Sequence, residues 1–412
     1  MNLTIEPGFA AGTVTAPPSK SMAHRQLICA ALSRRPCRVE NLAWSEDILA
    51  TVDCLRALGA SVACQEDAAE VDGTAFLTGE GPLTLPCRSS GSTLRFLIPL
   101  ALTTGRPVTF TGTERLFTRP LSVYESLCKR QKLRFEPGAE HLTVEGRLRP
   151  GEYEIPGNVS SQFVTGLLLA LPLLAEPSEL RLLPPVESRP YVSMSLGVLR
   201  DYGVRIVSIG EDRFHIPGKQ KFRPHRVKVE GDWSNAAFLE ALNTLGSRVK
   251  IKGLVETSTQ GDKICRDWFR RLAKGKTELS LADNPDLAPI LMTLAAALHG
   301  GVFTNTARLQ QKESNRGEAM ARELRKFGAE VLVDEDRIWV ADTRLFRPAE
   351  PLDSNGDHRI AMALAVLCTM YGGTIREAEA VQKSWPDFFD VLKELGLSVE
   401  PENAEAQDES GI

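Results

Sequence analysis

Two carboxylates stand among cations in this 412-residue sequence. Asp286 sits in Asn284-Pro285-Asp286-Leu287, and Glu313 lies between Lys312 and Arg316 in Lys312-Glu313-Ser314-Asn315-Arg316. A carboxylate ringed by cations has a lowered pKa, stays ionised, and can accept a proton from a bound hydroxyl. Each also has a plainer reading: Asp286 as a helix N-cap, Glu313 as half of a helix-surface ion pair. Further cations and hydroxyls recur in short polar segments. Lys20, Ser21 and Arg25 form one group, Arg95 follows Ser89-Ser90-Gly91-Ser92, Ser160-Ser161-Gln162 forms another, and His358-Arg359 a fourth. Loops add Arg115, Arg119, Arg189 and Lys383. Any one alone reads as a solvated charge. Their recurrence points to a cleft for small, multiply anionic ligands carrying phosphate and carboxylate.

The elements that must position these groups repeat. Six times a short polar segment precedes an apolar run of helix length: Leu27–Leu32, Leu94–Leu102, Phe163–Leu174, Ala236–Leu245, Leu287–Leu298 and Ile360–Met370. Most spacings are similar, and the fourth-to-fifth is shorter. Helices apolar nearly all round belong in a core, and Ser, Asp or Asn at their starts are good N-caps. A helix N-terminus carries about half a positive charge and unpaired N–H groups, so several of them on one face make an anion site. A second pattern, Leu-x-x-x-Gly-x-x-Val or a near copy, ends an amphipathic helix and turns through glycine into a strand. It starts at Leu55, Leu199, Leu324 and Leu392, with degraded copies at Cys128–Phe135 and Phe269–Lys276. Strands are expected at 226–229, 248–252 and 337–340. The chain therefore reads as α/β, six quasi-repeats split three and three near the basic, proline-bearing stretch Pro217–Pro224.

Composition narrows the function. There are 49 basic and 53 acidic residues for a net charge of −4, and 42% of residues are hydrophobic. That excludes a general nucleic-acid or membrane-surface binder, so any anion site must be a local concentration of Lys and Arg. The eight cysteines form no metal spacing and read as buried free thiols, which fits a reducing cytoplasm. No signal or transit character opens the chain, and no apolar run is long enough to span a bilayer. The acidic end, 401–412, reads as a frayed tail. Neither a phosphate-binding Gly-x-x-x-x-Gly-Lys loop nor a dinucleotide fingerprint is present.

At these motifs the chain resembles the enolpyruvyl transferase family, nearly end to end. Pro18–Arg25, Ser160–Phe163, Lys312–Arg316 and Asp357–Met362 carry the resemblance, with Arg115–Leu121 and Lys383–Phe388. The resemblance implies two similar domains, each of three βαβαββ units with buried parallel helices, an inside-out α/β barrel. Their expected bounds are 1–16 with 227–412, and 17–226. It implies enolpyruvyl transfer from phosphoenolpyruvate to the 5-hydroxyl of shikimate 3-phosphate, by addition and elimination. No metal or organic cofactor is expected, and the enzyme is expected to be a cytoplasmic monomer. Lys20, Ser21, Arg25, Ser160, Ser161, Gln162, Ser188, Tyr191, Asp286 and Lys312 match shikimate 3-phosphate contacts. Lys20, Gly91, Arg119, Gln162, Arg316, Arg359 and Lys383 match phosphoenolpyruvate contacts. Asp286 matches the residue that takes the hydroxyl proton, and Glu313 the proton donor to the methylene carbon, with Lys20 sharing that work.

The chain departs from the family at four points. Arg88-Ser89-Ser90-Gly91-Ser92 replaces a Gly-Asn-Ala/Ser-Gly-Thr stretch, Arg308 replaces an Asn, Gln310-Gln311 replaces Arg-Val, and Asn315 replaces an Asp. The sister activity on UDP-N-acetylglucosamine is an alternative, but its loop cysteine is missing: Thr109–Arg119 contains no Cys. A non-catalytic anion-binding repeat protein is a second alternative, which the retained Asp286 and Glu313 oppose.

Overall fold

All six apolar runs are helices with buried sides all round, in a computed structural model that describes residues 1–402. They span Lys20–Leu32, Gly91–Thr104, Ser161–Ala170, Trp233–Thr244, Ala288–Ala297 and His358–Tyr371. Proline trims two of them. The third gives way at Pro172 to a 3-10 turn, Leu171–Leu173, and the fifth is preceded by the turn Pro285–Leu287. Four starts are capped as their residue types predict: Ser19, Ser90, Ser160 and Asp357 accept from the backbone N–H of Met22, Thr93, Gln162 and Arg359.

The second pattern forms as well. The helices Glu46–Ala57, Arg189–Asp201, Arg316–Lys326 and Phe388–Glu394 end before Gly59, Gly203, Gly328 and Gly396, whose φ angles lie between +75° and +101°. Glycine enters that left-handed region without a Cβ penalty and closes the helix. The degraded copy at Cys128–Phe135 makes the same turn with Lys132 at φ +56°.

These pieces assemble into sheets of one plan. Thr277–Ser280 runs parallel to Gly301–Thr304, which pairs antiparallel with Arg337–Val340 and that in turn with Val331–Val333. The order is strand, buried helix, strand, amphipathic helix, two strands. Leu83–Glu145 and Glu152–Ile216 repeat it. Two further sheets borrow strands from distant sequence. Pro36–Glu40 takes Val227–Lys228 as its parallel neighbour, and Leu3–Ile5 lies between Gly373–Arg376 and Val399–Pro401. The repeat opening at Trp233 differs. Its sheet has two strands, Ala11–Thr15 parallel to Arg248–Lys252, because the short spacing to the next repeat leaves no chain for a hairpin.

The chain divides into two compact units: Met1–Pro17, Trp233–Leu254 and the chain from Asp262 on; and Pro18–Asp232 with Val255–Gly261. Each buries its own apolar cluster. Val255–Gly261 falls inside the expected 227–412 but packs with the other unit, because Gln260 Nε2 donates to Glu230 and Gly231 O and Ser19 Oγ donates to Gln260 Oε1. Pro401 and Glu402, expected to begin a frayed tail, are tied down instead: Pro401 pairs with Leu3, and Asn2 Nδ2 donates to Glu402. The rest of the expected segment, 403–412, lies outside the described residues. Seven cysteines are buried free thiols, but Cys64 is exposed, since it lies on the outer strand Ser61–Cys64. Among the described residues no helix is long and apolar enough to cross a membrane.

Candidate active site

In each unit the three buried helices bring their N-terminal residues together. In the unit formed by Pro18–Asp232, Arg25 on the first helix donates from Nε to Ser195 Oγ (2.8 Å) and from Nη2 to Thr165 Oγ1 on the third (3.2 Å). It also donates to the carbonyls of Ser21 and Tyr191 and lies over the Phe96 ring. The second and third starts are joined by Gln162, which donates to Ser92 Oγ (2.9 Å) and accepts from Arg95 Nη1 (2.8 Å). A chain of hydroxyls ties the first to the second: His24 Nδ1 meets Thr51 Oγ1, Thr51 meets Thr93 Oγ1, and Thr93 donates to Ser90.

The expected groups of this unit take distinct roles here. Lys20 Nζ stands 2.9 Å from Asp47 Oδ2. Ser160 is spent as a cap, while Ser161 is the buried first residue of its helix. Ser188 is buried with φ +55°, just before the helix that carries Tyr191. Gly91 faces the Arg119 guanidinium so closely that a Cβ there would lie 2.5 Å from Arg119 Nη1. Burial lowers the Arg25 pKa to about 10, and drives that of His24 down to about 3, despite Asp47 nearby.

The other unit gathers Lys312, Glu313, Arg316 and Arg359 around Asp286. Its Oδ1 accepts from Arg316 Nη1 (2.8 Å) and Lys312 Nζ (3.0 Å), and its Oδ2 from Arg359 Nη2 (3.3 Å). The N-cap reading of Asp286 is thereby set aside, for the residue sits inside the turn Pro285–Leu287 with its carboxylate aimed at cations. Arg316, 1% exposed, also donates to Glu313 Oε2 (2.7 Å) and to Asp357 (2.8 Å). A pair with so buried a partner is not the surface pair that i,i+3 spacing alone would suggest. Arg359 reaches Ser234 Oγ (2.9 Å) as well, so the fourth, fifth and sixth helix starts meet. Ser384, next to Lys383, exchanges a hydrogen bond with Asn235 on the fourth.

Burial would raise the Asp286 pKa, but Arg359, Lys312 and Arg316 together reverse that and hold it well below the carboxylate range. Burial lowers the Lys312 pKa, with Asp286 opposing, whereas Arg316 is raised because Asp357, Glu313 and Asp286 outweigh its burial. The six interlinked side chains are three carboxylates and three cations. An anionic ligand arriving there meets helix N-termini and cations whose charge is already locally balanced, so it must displace or share carboxylate contacts. Sequence reasoning missed Asp47, Thr165, Ser195, Ser234 and Asp357 as members of these clusters. Two of these carried a signal: Ser234 in the polar segment Asp232-Trp233-Ser234-Asn235 before the fourth apolar run, and Asp357 in Asp357-His358-Arg359. Among the described residues, no group of His, Cys, Asp and Glu could hold a metal ion.

The EPSP synthase (3-phosphoshikimate 1-carboxyvinyltransferase) family profile matches residues 6–392. The chain belongs to the EPSP synthase family. A 3-phosphoshikimate 1-carboxyvinyltransferase of Clostridium kluyveri is 38% identical over 97% of this chain and 98% of its own length. One from Clostridium perfringens is 36% identical over 95% and 97%. Among solved structures, EPSP synthase from Acinetobacter baumannii superposes with a TM-score of 0.77 at 21% identity, covering 98% of this chain and all of that one. The enolpyruvyl transferase NikO of Streptomyces tendae gives 0.77 at 18%, covering 97% and 98%. At those identities the structures speak for the α/β fold alone. Membership of the EPSP synthase family rests on the profile and the sequence relatives.

Proposed function

We propose that the protein transfers the enolpyruvyl group of phosphoenolpyruvate to the 5-hydroxyl of shikimate 3-phosphate, releasing phosphate. The observation that carries this is the Asp286 carboxylate held by Lys312, Arg316 and Arg359, in a chain of the EPSP synthase family. Arg316, Arg359 and Lys383, with Lys20, Gly91, Arg119 and Gln162, take the phosphate and carboxylate of phosphoenolpyruvate. Ser21, Arg25, Ser160, Ser161, Gln162, Ser188, Tyr191 and Lys312 take shikimate 3-phosphate.

Glu313, which must enter the reaction protonated, delivers a proton to the methylene carbon with Lys20 assisting. The neighbouring carbon becomes electron-poor, and the 5-oxygen adds to it while its proton passes to Asp286. In the second stage the bond from that carbon to the phosphate oxygen breaks, and phosphate leaves with the electron pair and takes up the proton held by Asp286. A proton passes from the new methyl group back to the Glu313 carboxylate, and the double bond re-forms. Because the cations hold Asp286 so acidic, it is a weak base toward a free hydroxyl. Proton transfer must then accompany C–O bond formation, when the oxygen becomes acidic.

We also propose that each unit is a three-repeat, inside-out α/β barrel. The enzyme is proposed to act as a cytoplasmic monomer without a metal or organic cofactor. Phosphate release is the test of function. It is expected with phosphoenolpyruvate plus shikimate 3-phosphate, and not when UDP-N-acetylglucosamine is the acceptor. Release only with the latter would overturn the reading.

A further inference from the structure

The basic stretch between the third and fourth repeats plays no part in the proposed chemistry. It lines a cavity of about 800 Å3 whose walls lie wholly within the unit formed by Pro18–Asp232. Lys219, Lys221 and Arg223 face it from this stretch, and Arg34 and Arg35 from the turn after the first buried helix; no acidic residue lines it. Lys219 has only a loose contact, 3.7 Å, with Glu176. Among the described residues, the side chains of Arg34, Arg35, Lys221 and Arg223 have no carboxylate partner. Four uncompensated cations around one concavity repel each other, in a chain of net charge −4.

Both sides of the cavity are fixed. The stretch is fastened by Lys219 N–H to Leu174 O, Gln220 N–H to Pro172 O and Arg223 N–H to Tyr202 O, and Phe222 is buried beneath it. Opposite, Ser33 Oγ bonds the carbonyls of Ala30 and Arg35. Gln220 spends its amide on Arg205 and Pro217, which leaves the cations to face the cavity. Held backbones reduce the ordering cost of binding. The volume is that of a small-molecule site, and Leu32, Leu173 and Phe222 offer apolar wall.

We propose that this cavity binds a phosphorylated organic molecule of about four negative charges, such as a nucleoside triphosphate. The phosphates would engage the Arg forks and Lys ammonium groups, and the organic body the apolar wall. The test is calorimetric titration with ATP and with inorganic tripolyphosphate at low and moderate salt. Wild type is compared with the double variant Arg35→Glu/Lys221→Glu, whose two sites are exposed. Saturable ATP binding is expected, tighter than tripolyphosphate and weakened by salt. The double variant should lose about tenfold or more in affinity, with turnover of phosphoenolpyruvate and shikimate 3-phosphate unchanged. Equal ATP affinity in the variant would put binding elsewhere and overturn the proposal. So would the absence of saturable ATP binding, or tripolyphosphate binding as tightly as ATP.

Discussion

Asp286 carries two duties that two measurements on one variant can separate. It balances Lys312, Arg316 and Arg359, and in the proposed reaction it receives the hydroxyl proton. Asp286→Asn keeps the shape and removes both the charge and the base. Turnover should fall about a hundredfold or more, while shikimate 3-phosphate, itself an anion, should bind within a few-fold of wild type. Steady-state rates beside calorimetric affinity read the two apart. Near-normal turnover would leave Asp286 with the charge-balancing role only. In the unit formed by Pro18–Asp232, Asp47 is the carboxylate that holds Lys20 at 2.9 Å. Asp47→Asn should free the ammonium group, raising KM for phosphoenolpyruvate more than it lowers kcat. An unchanged KM would mean that Lys20 needs no such tether.

At the scale of elements, the second helix start is the place to test ligand discrimination. Arg88 is forced to φ +52° and its guanidinium pairs with Asp53, so the turn into Gly91 is fixed from outside the helix. The family's Asn at position 89 is Ser here, which cannot donate amide hydrogen bonds. Glyphosate, which the family binds in place of phosphoenolpyruvate, is longer, so a small shift of this helix start should hurt it more than the substrate. The ratio of its inhibition constant to the phosphoenolpyruvate KM should therefore exceed that of relatives with Gly-Asn-Ala-Gly-Thr. A ratio well below one would refute this. Gly91→Ala should raise the ratio further, and the reason is concrete: the new Cβ would stand 2.5 Å from Arg119 Nη1, displacing that guanidinium. Substrate KM should rise with it, since Arg119 is also a proposed phosphoenolpyruvate contact.

The same scale shows what could be read without coordinates. Buried helices were legible because apolarity all round a helix has one physical outcome, burial, and their caps because Ser and Asp side chains act within three residues. The cations were legible as recurrences. Their partners were not. Thr165 and Ser195, which orient Arg25, are ordinary interior residues of helices, and Asp47 looks like any first-turn acid. Pairing across elements is set by how the helices pack, and spacing in one sequence does not encode it. The missing hairpin of the fourth repeat was visible only as a shortened interval.

For the molecule as a whole, His24 in the first buried helix and Asp286 in the other unit each make stability depend on pH. His24 is 1% exposed, bonded to Thr51, and its pKa falls from 6.5 to about 3, chiefly through burial. Above pH 6.5 the imidazole is neutral in both folded and unfolded chains, and contributes no pH dependence. Below it the unfolded chain gains a proton that the folded chain refuses, so stability declines as pH falls, until about pH 3 where both are protonated. At pH 5 the loss from this one group is about 2 kcal/mol. Asp286, with its pKa held down by three cations, adds a second decline that starts as pH falls through the ordinary carboxylate range, near pH 4. The two are separable because their windows differ. Urea unfolding from pH 8 to pH 5 should show the first decline in wild type. His24→Gln, whose amide can still bond Thr51, should be less stable at pH 8 but nearly flat across that range. An equally steep decline in that variant would assign the acid sensitivity to groups other than His24.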